Sequence, residues 1–89
     1  MAAGDIFNAR LAVTGTRATL DTLAGTGAKL YTYVAFKRID GAPVMGNASV
    51  TTTNGLEFTD LVLNSGSIIG ANLNLIGPAT VEFFGITSA

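Results

Sequence analysis

The chain has 89 residues, of which 48% are hydrophobic and 12% are charged, and it contains neither cysteine nor histidine. Without cysteine, disulfides and thiolate metal sites are excluded, and without histidine the commonest catalytic base and imidazole ligand are missing. A chain of this length forms one domain, residues 1–89, and buries only about 60–65% of the surface that its unfolded form exposes. We therefore expect a protein that gains stability by association.

Charge is scarce and unevenly distributed. Charged residues make up about a quarter of ordinary soluble domains, so few charges are present to cover a lone monomer. Obligate interfaces are depleted in charge, which favours a homo-oligomer. All five basic residues precede Ile39, and only acids follow it. The basic first part and the acidic second part of the chain either pair within one fold or bring a positive face against a negative face of a neighbour. The dispersed cations do not form the basic patch that nucleic acid requires.

The sequence has no pattern typical of a membrane segment. Residues 1–7 lack the positive and apolar regions of a secretory signal. Residues 61–81 are uncharged, but their asparagines, serines and proline would leave polar groups unsatisfied in lipid. We expect a protein made in the cytoplasm, with no membrane partner.

Short runs rich in Thr, Val, Ile, Phe and Tyr, separated by glycine-containing turns, predict an all-β fold. Their spacing is typical of a small sandwich or barrel of about six strands. Residues 5–14 form the first predicted strand, with Phe7 and Leu11 on one face. Residues 16–27 fit a strand, an irregular segment, or one short helix near residues 17–24 that is capped by Thr16 and ended at Gly25.

The longest predicted strand covers residues 28–40. Simple alternation places Tyr31 and Tyr33 together on one face of this strand, opposite Val34. Two exposed tyrosines on one face could bind a sugar, a peptide or another subunit, although an aromatic stripe also serves as ordinary packing.

The second half of the chain contains the strongest hairpin signal. Asn54-Gly55 between β-prone residues 48–53 and 56–63 favours a type I′ turn, which needs positive φ at both central residues. A bulge near Thr59-Asp60 would bring the leucines and Phe58 of the second arm to the core side. After a turn at residues 64–66, residues 68–76 and 79–86 complete the predicted strands. The predicted core contains Phe7, Leu11, Val34, Phe36, Phe58, Leu61, Val81 and Phe83.

Two kinds of catalytic chemistry remain: a Ser–Lys pair, for which neither Lys29 nor Lys37 has a surrounding motif, and paired carboxylates. Glu57 and Asp60 would face the same side only if a bulge fell between them, and acid–base work needs two such groups in a cleft. A hairpin in a small chain does not readily build that cleft. We therefore predict a protein that is not an enzyme, with no catalytic residue, no cofactor and no metal site.

The opening segment, Met1-Ala2-Ala3-Gly4-Asp5-Ile6-Phe7, resembles the start of small β-rich structural proteins of tailed bacteriophages. Members of that group often begin with Met-Ala-x-Gly-Asp leading directly into a strand. The resemblance implies a virion component, such as a capsid decoration (cement) protein or a head-fibre subunit. It further implies a homo-oligomer, commonly a trimer, that binds the major capsid protein or another virion protein and stiffens the shell.

The leading expectation is therefore a capsid decoration protein located in the virion. The alternative is a receptor- or carbohydrate-binding module of a fibre or adhesin, which would present an aromatic or Asn/Asp-lined groove. The predicted partner-contact residues are Asp5, Ile6, Phe7, Tyr31 and Tyr33.

Overall fold

Long antiparallel strands form the larger of two sheets in the computed structural model, which describes residues 4–88. The predicted all-β, sandwich-like fold is confirmed. Alternating apolar residues drive this arrangement, because each strand buries one face and leaves the other in solvent. The strand order is β1-β8-β3-β6, where β1 is Ile6–Val13, β3 is Leu30–Gly41, β6 is Asp60–Ile69 and β8 is Ala79–Thr87.

Four short strands form the smaller sheet, which lies over one face of the larger sheet together with a helix. The helix α1 (Leu20–Ala24) and a 3₁₀ turn (Gly70–Asn72) lie beside this sheet. The 3₁₀ turn divides the predicted strand at residues 68–76 into two pieces. The strand order is β2-β7-β4-β5, where β2 is Ala18–Thr19, β4 is Val44–Gly46, β5 is Leu56–Glu57 and β7 is Asn74–Ile76.

The core lies between the two sheets and centres on aromatic rings. Phe36 stacks on Phe83 with ring centroids 5.3 Å apart, and Tyr31 meets Phe83 edge-on at 5.5 Å. Burial of each such side chain contributes about 1.5–3 kcal/mol. Of the predicted core residues, Phe7 and Leu61 are partly buried and pack against the core. The others are buried as expected: Leu11, Val34, Phe36, Phe58, Val81 and Phe83.

The short helix is present, but it begins later than Thr16. Thr19 is the N-cap, and its side chain accepts a hydrogen bond from the Thr22 backbone N–H at 3.2 Å. Thr16 instead belongs to the preceding turn, where its backbone N–H donates to the Thr14 hydroxyl. Gly25 ends the helix with φ of 69°, as predicted for a left-handed C-cap.

The predicted type I′ turn at Asn54-Gly55 is wrong. No non-glycine residue among residues 4–88 has positive φ, and Gly55 does not have it either. Asn54 shapes the loop through its side chain, which accepts a hydrogen bond from the Thr51 backbone N–H at 2.7 Å. Gly55 is required for space, because an added Cβ would collide with Val44 and Val50. Residues 48–53 form no strand, and β5 pairs with β4 instead.

The predicted bulge near Thr59-Asp60 is in fact the crossing between the two sheets. Strand β5 ends at Glu57 in the smaller sheet, and β6 begins at Asp60 in the larger one. Phe58 is buried at this crossing, whereas Leu56 is 58% exposed and does not reach the core.

A bulge elsewhere in the larger sheet reverses the predicted facing of the tyrosines. On β8, Thr87 lies opposite Tyr31 and the adjacent Ile86 lies opposite Tyr33, so β3 contains one extra residue at this point. Strand β6 bulges at the same level and continues through the predicted turn at residues 64–66. Because one extra residue exchanges the two faces of a strand, Tyr31 and Tyr33 lie on opposite sides of the sheet.

No helix among residues 4–88 has both the length and the apolar character needed to span a membrane.

Candidate binding face

The larger sheet has a second face that no other element of the described chain covers. We call this surface the outer face. Its side chains form three rows that run across all four strands, because residues paired in register point to the same side. The first, the charged row, contains Arg10, Glu82, Lys37 and Asp60; the second, the Phe84 row, contains Asn8, Phe84, Ala35 and Val62; the third, the Tyr33 row, contains Ile6, Ile86, Tyr33 and Asn64.

The charged row alternates in sign from one edge of the sheet to the other. Arg10 on β1 is followed by Glu82 on β8, then Lys37 on β3 and Asp60 on β6. Arg10 and Glu82 form an ion pair at 3.4 Å, with their side chains 64% and 54% exposed. Exposed pairs of this kind contribute only about 0–1 kcal/mol to stability. The row therefore matters more as a charge pattern available to a partner than as support for the fold.

The other two rows expose apolar side chains. Val62 is 55% exposed, Ile6 is 61% exposed and Phe84 is 39% exposed. Tyr33 meets the Phe84 ring edge-on, with centroids 6.3 Å apart. The partly exposed Ile86, Tyr33 and Ala35 lie between them in the register of the sheet, so the apolar side chains form one continuous surface. A continuous exposed apolar surface on a small protein marks an interaction site.

A shallow concavity of about 720 Å³ lies within the outer face. Ala35 forms part of its floor, and the larger side chains of Phe84, Val62 and Lys37 stand around it. In the register of the sheet, the small side chain of Ala35 lies between Phe84 on β8 and Val62 on β6. It is open to solvent and can receive a bulky apolar group.

Two of the predicted contact residues belong to the outer face. Ile6 and Tyr33 lie in the same row, with Ile86 between them. The outer-face residues missed by the sequence reasoning are Phe84, Val62 and Ile86. The alternation of residues 79–86 contained a signal for two of them, because Val81 and Phe83 were predicted to be core and Phe84 and Ile86 fall out of phase with them.

The remaining predicted contact residues lie elsewhere. The proposal of Tyr31 as a contact residue is wrong, because its side chain is 0% exposed and packs in the core. Phe7 lies on the inner side of β1, with the Lys29 ammonium 5.6 Å from its ring centre. Asp5 extends β1, and its carbonyl oxygen accepts a hydrogen bond from the Thr87 backbone N–H at 2.9 Å. Residues 1–3 of the opening segment are outside the described residues.

The acidic groups are dispersed over the molecule. Glu57 lies in the smaller sheet and Asp60 in the larger one. Among residues 4–88, no three acidic side chains converge to hold a metal ion. Asp21 on α1 is buried, and this burial raises the pKa of its carboxyl group, with smaller opposing effects from the backbone and the ammonium of Lys29.

The chain matches none of the protein family models, curated proteins or solved structures with which it was compared. The fold and the surface together define a class: a small all-β sandwich with one sheet face left open. That face combines exposed apolar groups with alternating charges. Such a surface can bind another protein through shape, apolar burial and charge pairing.

Proposed function

We propose that this protein is a structural component of a virus particle, a capsid decoration (cement) protein that binds the outer shell as a homo-oligomer and stabilises it. One observation carries the proposal. The outer face exposes apolar side chains on three of its four strands, including Ile6, Phe84 and Val62, in a chain with few charges. Burial of such a surface against a protein neighbour would supply stability that a small core lacks. The resemblance of residues 1–7 to phage structural proteins supports the viral setting.

The edge of the larger sheet offers a second surface for the shell. Strand β1 is an edge strand, and its outward backbone groups are available to extend the sheet with another chain. The Gly4 backbone N–H donates to the Thr87 carbonyl oxygen at 2.7 Å, which holds Gly4 beside the end of β8. In this proposal the opening segment and β1 bind the shell, and the outer face supports self-association.

Under this proposal a phage encodes the chain, and binding to undecorated, expanded capsids of that phage tests it. Full-length protein should co-sediment with the capsids to a saturating number of copies and should raise the temperature at which they open. Deletion of residues 2 and 3 retains Gly4 and its hydrogen bond to Thr87, so the β fold should be unchanged while occupancy falls at least tenfold. Failure of the full-length chain to bind would contradict the proposal.

A suitable control is Glu57→Gln, which alters an exposed acid in the smaller sheet, far along the chain from the opening segment. This variant should bind capsids like the natural chain. If the deletion and the control lose the same amount of binding, the opening segment has no special part in the contact.

The concavity favours a second candidate function, a receptor- or carbohydrate-binding module of a fibre or adhesin. The Phe84 ring beside Asn8 and Arg10 offers the apolar surface and hydrogen-bonding groups that sugars use. A glycan array distinguishes the two functions. Specific binding to one glycan class, abolished by Phe84→Ala, would favour the module, whereas an array without signal would leave shell binding as the better account.

A further inference from the structure

We infer that the outer face binds the outer face of a second copy of this chain, across a two-fold axis parallel to the strands. This inference rests on the self-association in the proposed function and names its surface and symmetry. The resemblance of the opening segment implies a trimer, whereas the charges on the outer face fit a two-fold pair.

The alternating charges supply the first argument. From β1 to β6 the charged row has signs that run positive, negative, positive, negative. A two-fold axis parallel to the strands, placed between β8 and β3, reverses this order in the second copy. Every charge then faces its opposite: Arg10 meets Asp60 of the second copy, and Glu82 meets its Lys37. In a two-fold interface each of these contacts occurs twice.

The same charges disfavour the arrangements closest to this one. An axis perpendicular to the strands within the interface keeps the order of the strands, so β1 lies over β1, and when this axis passes through the charged row Arg10 approaches Arg10. Displacement of the copy by one strand sets Arg10 against Lys37 and Glu82 against itself. Juxtaposed like charges oppose association. Among the arrangements that set the charged row over itself, the charge pattern therefore favours the axis parallel to the strands in the unshifted register.

Side-chain size supplies a second, independent argument. When the Phe84 row is reversed, Phe84 lies over Ala35 of the second copy, where the concavity of about 720 Å³ is found. In the Tyr33 row, Ile86 lies over Tyr33 of the second copy. Sheets that pack face to face stand about 10 Å apart and interdigitate their side chains. In the Phe84 row, a large group over a small one provides that interdigitation, and it occurs twice by symmetry.

The available area is sufficient for a specific dimer. An interface of ordinary size covers about 800 Å² on each partner. The chain exposes 4633 Å² in total, so such an interface needs about a sixth of the surface. One face of a two-layer sandwich supplies a share of this order. The apolar rows would form the buried part, and the charged row beside them would set the register.

Charge reversal tests the pairing directly. Glu82→Lys alone sets a lysine side chain opposite Lys37 of the second copy, and Lys37→Glu alone sets a glutamate side chain opposite Glu82. Each variant should therefore self-associate at least tenfold more weakly than the natural chain, measured by sedimentation equilibrium and light scattering at low ionic strength. An equimolar mixture of the two variants should recover the dimer, because both contacts become attractive again.

Two further variants distinguish loss of the interface contacts from a general effect of changed charge. Glu57→Lys makes the same charge change on the smaller sheet and should leave self-association unchanged. Ala35→Phe fills the concavity without altering any charge, and it should abolish the dimer while circular dichroism shows the β fold. The equimolar mixture of Glu82→Lys and Lys37→Glu also controls for misfolding, because a misfolded variant would not form a dimer with its counterpart.

Several outcomes would overturn the inference: a natural chain that is monomeric up to millimolar concentration, a trimeric mass, or a mixture that stays monomeric. Capsid binding measured in parallel separates this inference from the proposed function. A chain that binds capsids but does not dimerise contradicts the inference alone. A chain that dimerises as described but ignores capsids contradicts the proposed function alone.

Discussion

Phe83 and Phe84 are adjacent in sequence but occupy opposite faces of the larger sheet. The Phe83 side chain is 2% exposed and packs against Tyr31 and Phe36, whereas Phe84 is 39% exposed on the outer face. The inner face is committed to the core, so its side chains are constrained by packing. The outer face bears little of the fold's stability and is therefore free to carry a binding function.

The largest expected effect comes from truncating these two phenylalanines in turn. Phe83→Ala removes a ring from the centre of the core and should lower the free energy of unfolding by about 3–5 kcal/mol, through lost burial and a cavity. Phe84→Ala should change it by less than about 1 kcal/mol, since the ring is already exposed to water. Urea unfolding at low protein concentration measures both values without a contribution from self-association.

Equal losses of unfolding free energy in Phe83→Ala and Phe84→Ala would contradict the assignment of stability to the inner face and of binding to the outer face. A loss at Phe84 that grows with protein concentration would instead show that association covers this ring, as the two-fold pair requires.

A glycine on the inner face provides an intermediate effect. A Cβ added at Gly85 would lie 2.8 Å from Phe83 Cζ and from the Tyr31 ring. Gly85→Ala should therefore force the rings apart and lower the free energy of unfolding by about 1–3 kcal/mol. The matched control is Gly15→Ala in an open turn, where a Cβ meets nothing within 4 Å and the change should stay within about 0.5 kcal/mol. Thermal unfolding of the two variants gives the comparison, and similar melting temperatures would show that the core has room to adjust.

The smallest expected effect concerns the buried carboxyl group of Asp21 on helix α1. Burial raises the pKa of Asp21 above its ordinary value of 3.8, so the folded protein takes up this proton at a higher pH than the unfolded chain. The stabilising contribution is complete below 3.8 and is lost as the pH rises through the raised pKa. Acidification from neutral pH should therefore stabilise the natural chain relative to Asp21→Asn, which has no carboxyl to titrate. Urea unfolding from pH 7 to pH 3 measures the difference between the two proteins, and parallel profiles would show that Asp21 does not contribute.

Local patterns were enough to predict several of the strands and most of the core. Residues 5–14 and 79–86 alternate regularly, and the structure confirms their strands and the buried positions of Leu11, Val81 and Phe83. The short helix was one of the alternatives predicted for residues 16–27, and it ends at Gly25 as that alternative required. These features depend on residues close together in sequence, where a period of two or a capping residue determines the outcome.

Long-range contacts decided the features that local patterns predicted wrongly. The Asn54-Gly55 pair was assigned a type I′ turn, but Gly55 packs against Val44 and Val50, which come from elsewhere in the chain. Tyr31 and Tyr33 were assigned one face by counting alternate residues. The bulge that separates them depends on the register of β3 with β6 and β8.

By itself, the sequence determined an all-β chain with a specified apolar core, little charge, and neither cysteine nor histidine. Only the tertiary structure decided which side chains meet on the open face. Arg10, Lys37, Asp60 and Glu82 are far apart in the chain, and they form an alternating row only because the strands are arranged in the order β1-β8-β3-β6. Strand order and register are set by pairing between distant segments, which a local period cannot specify.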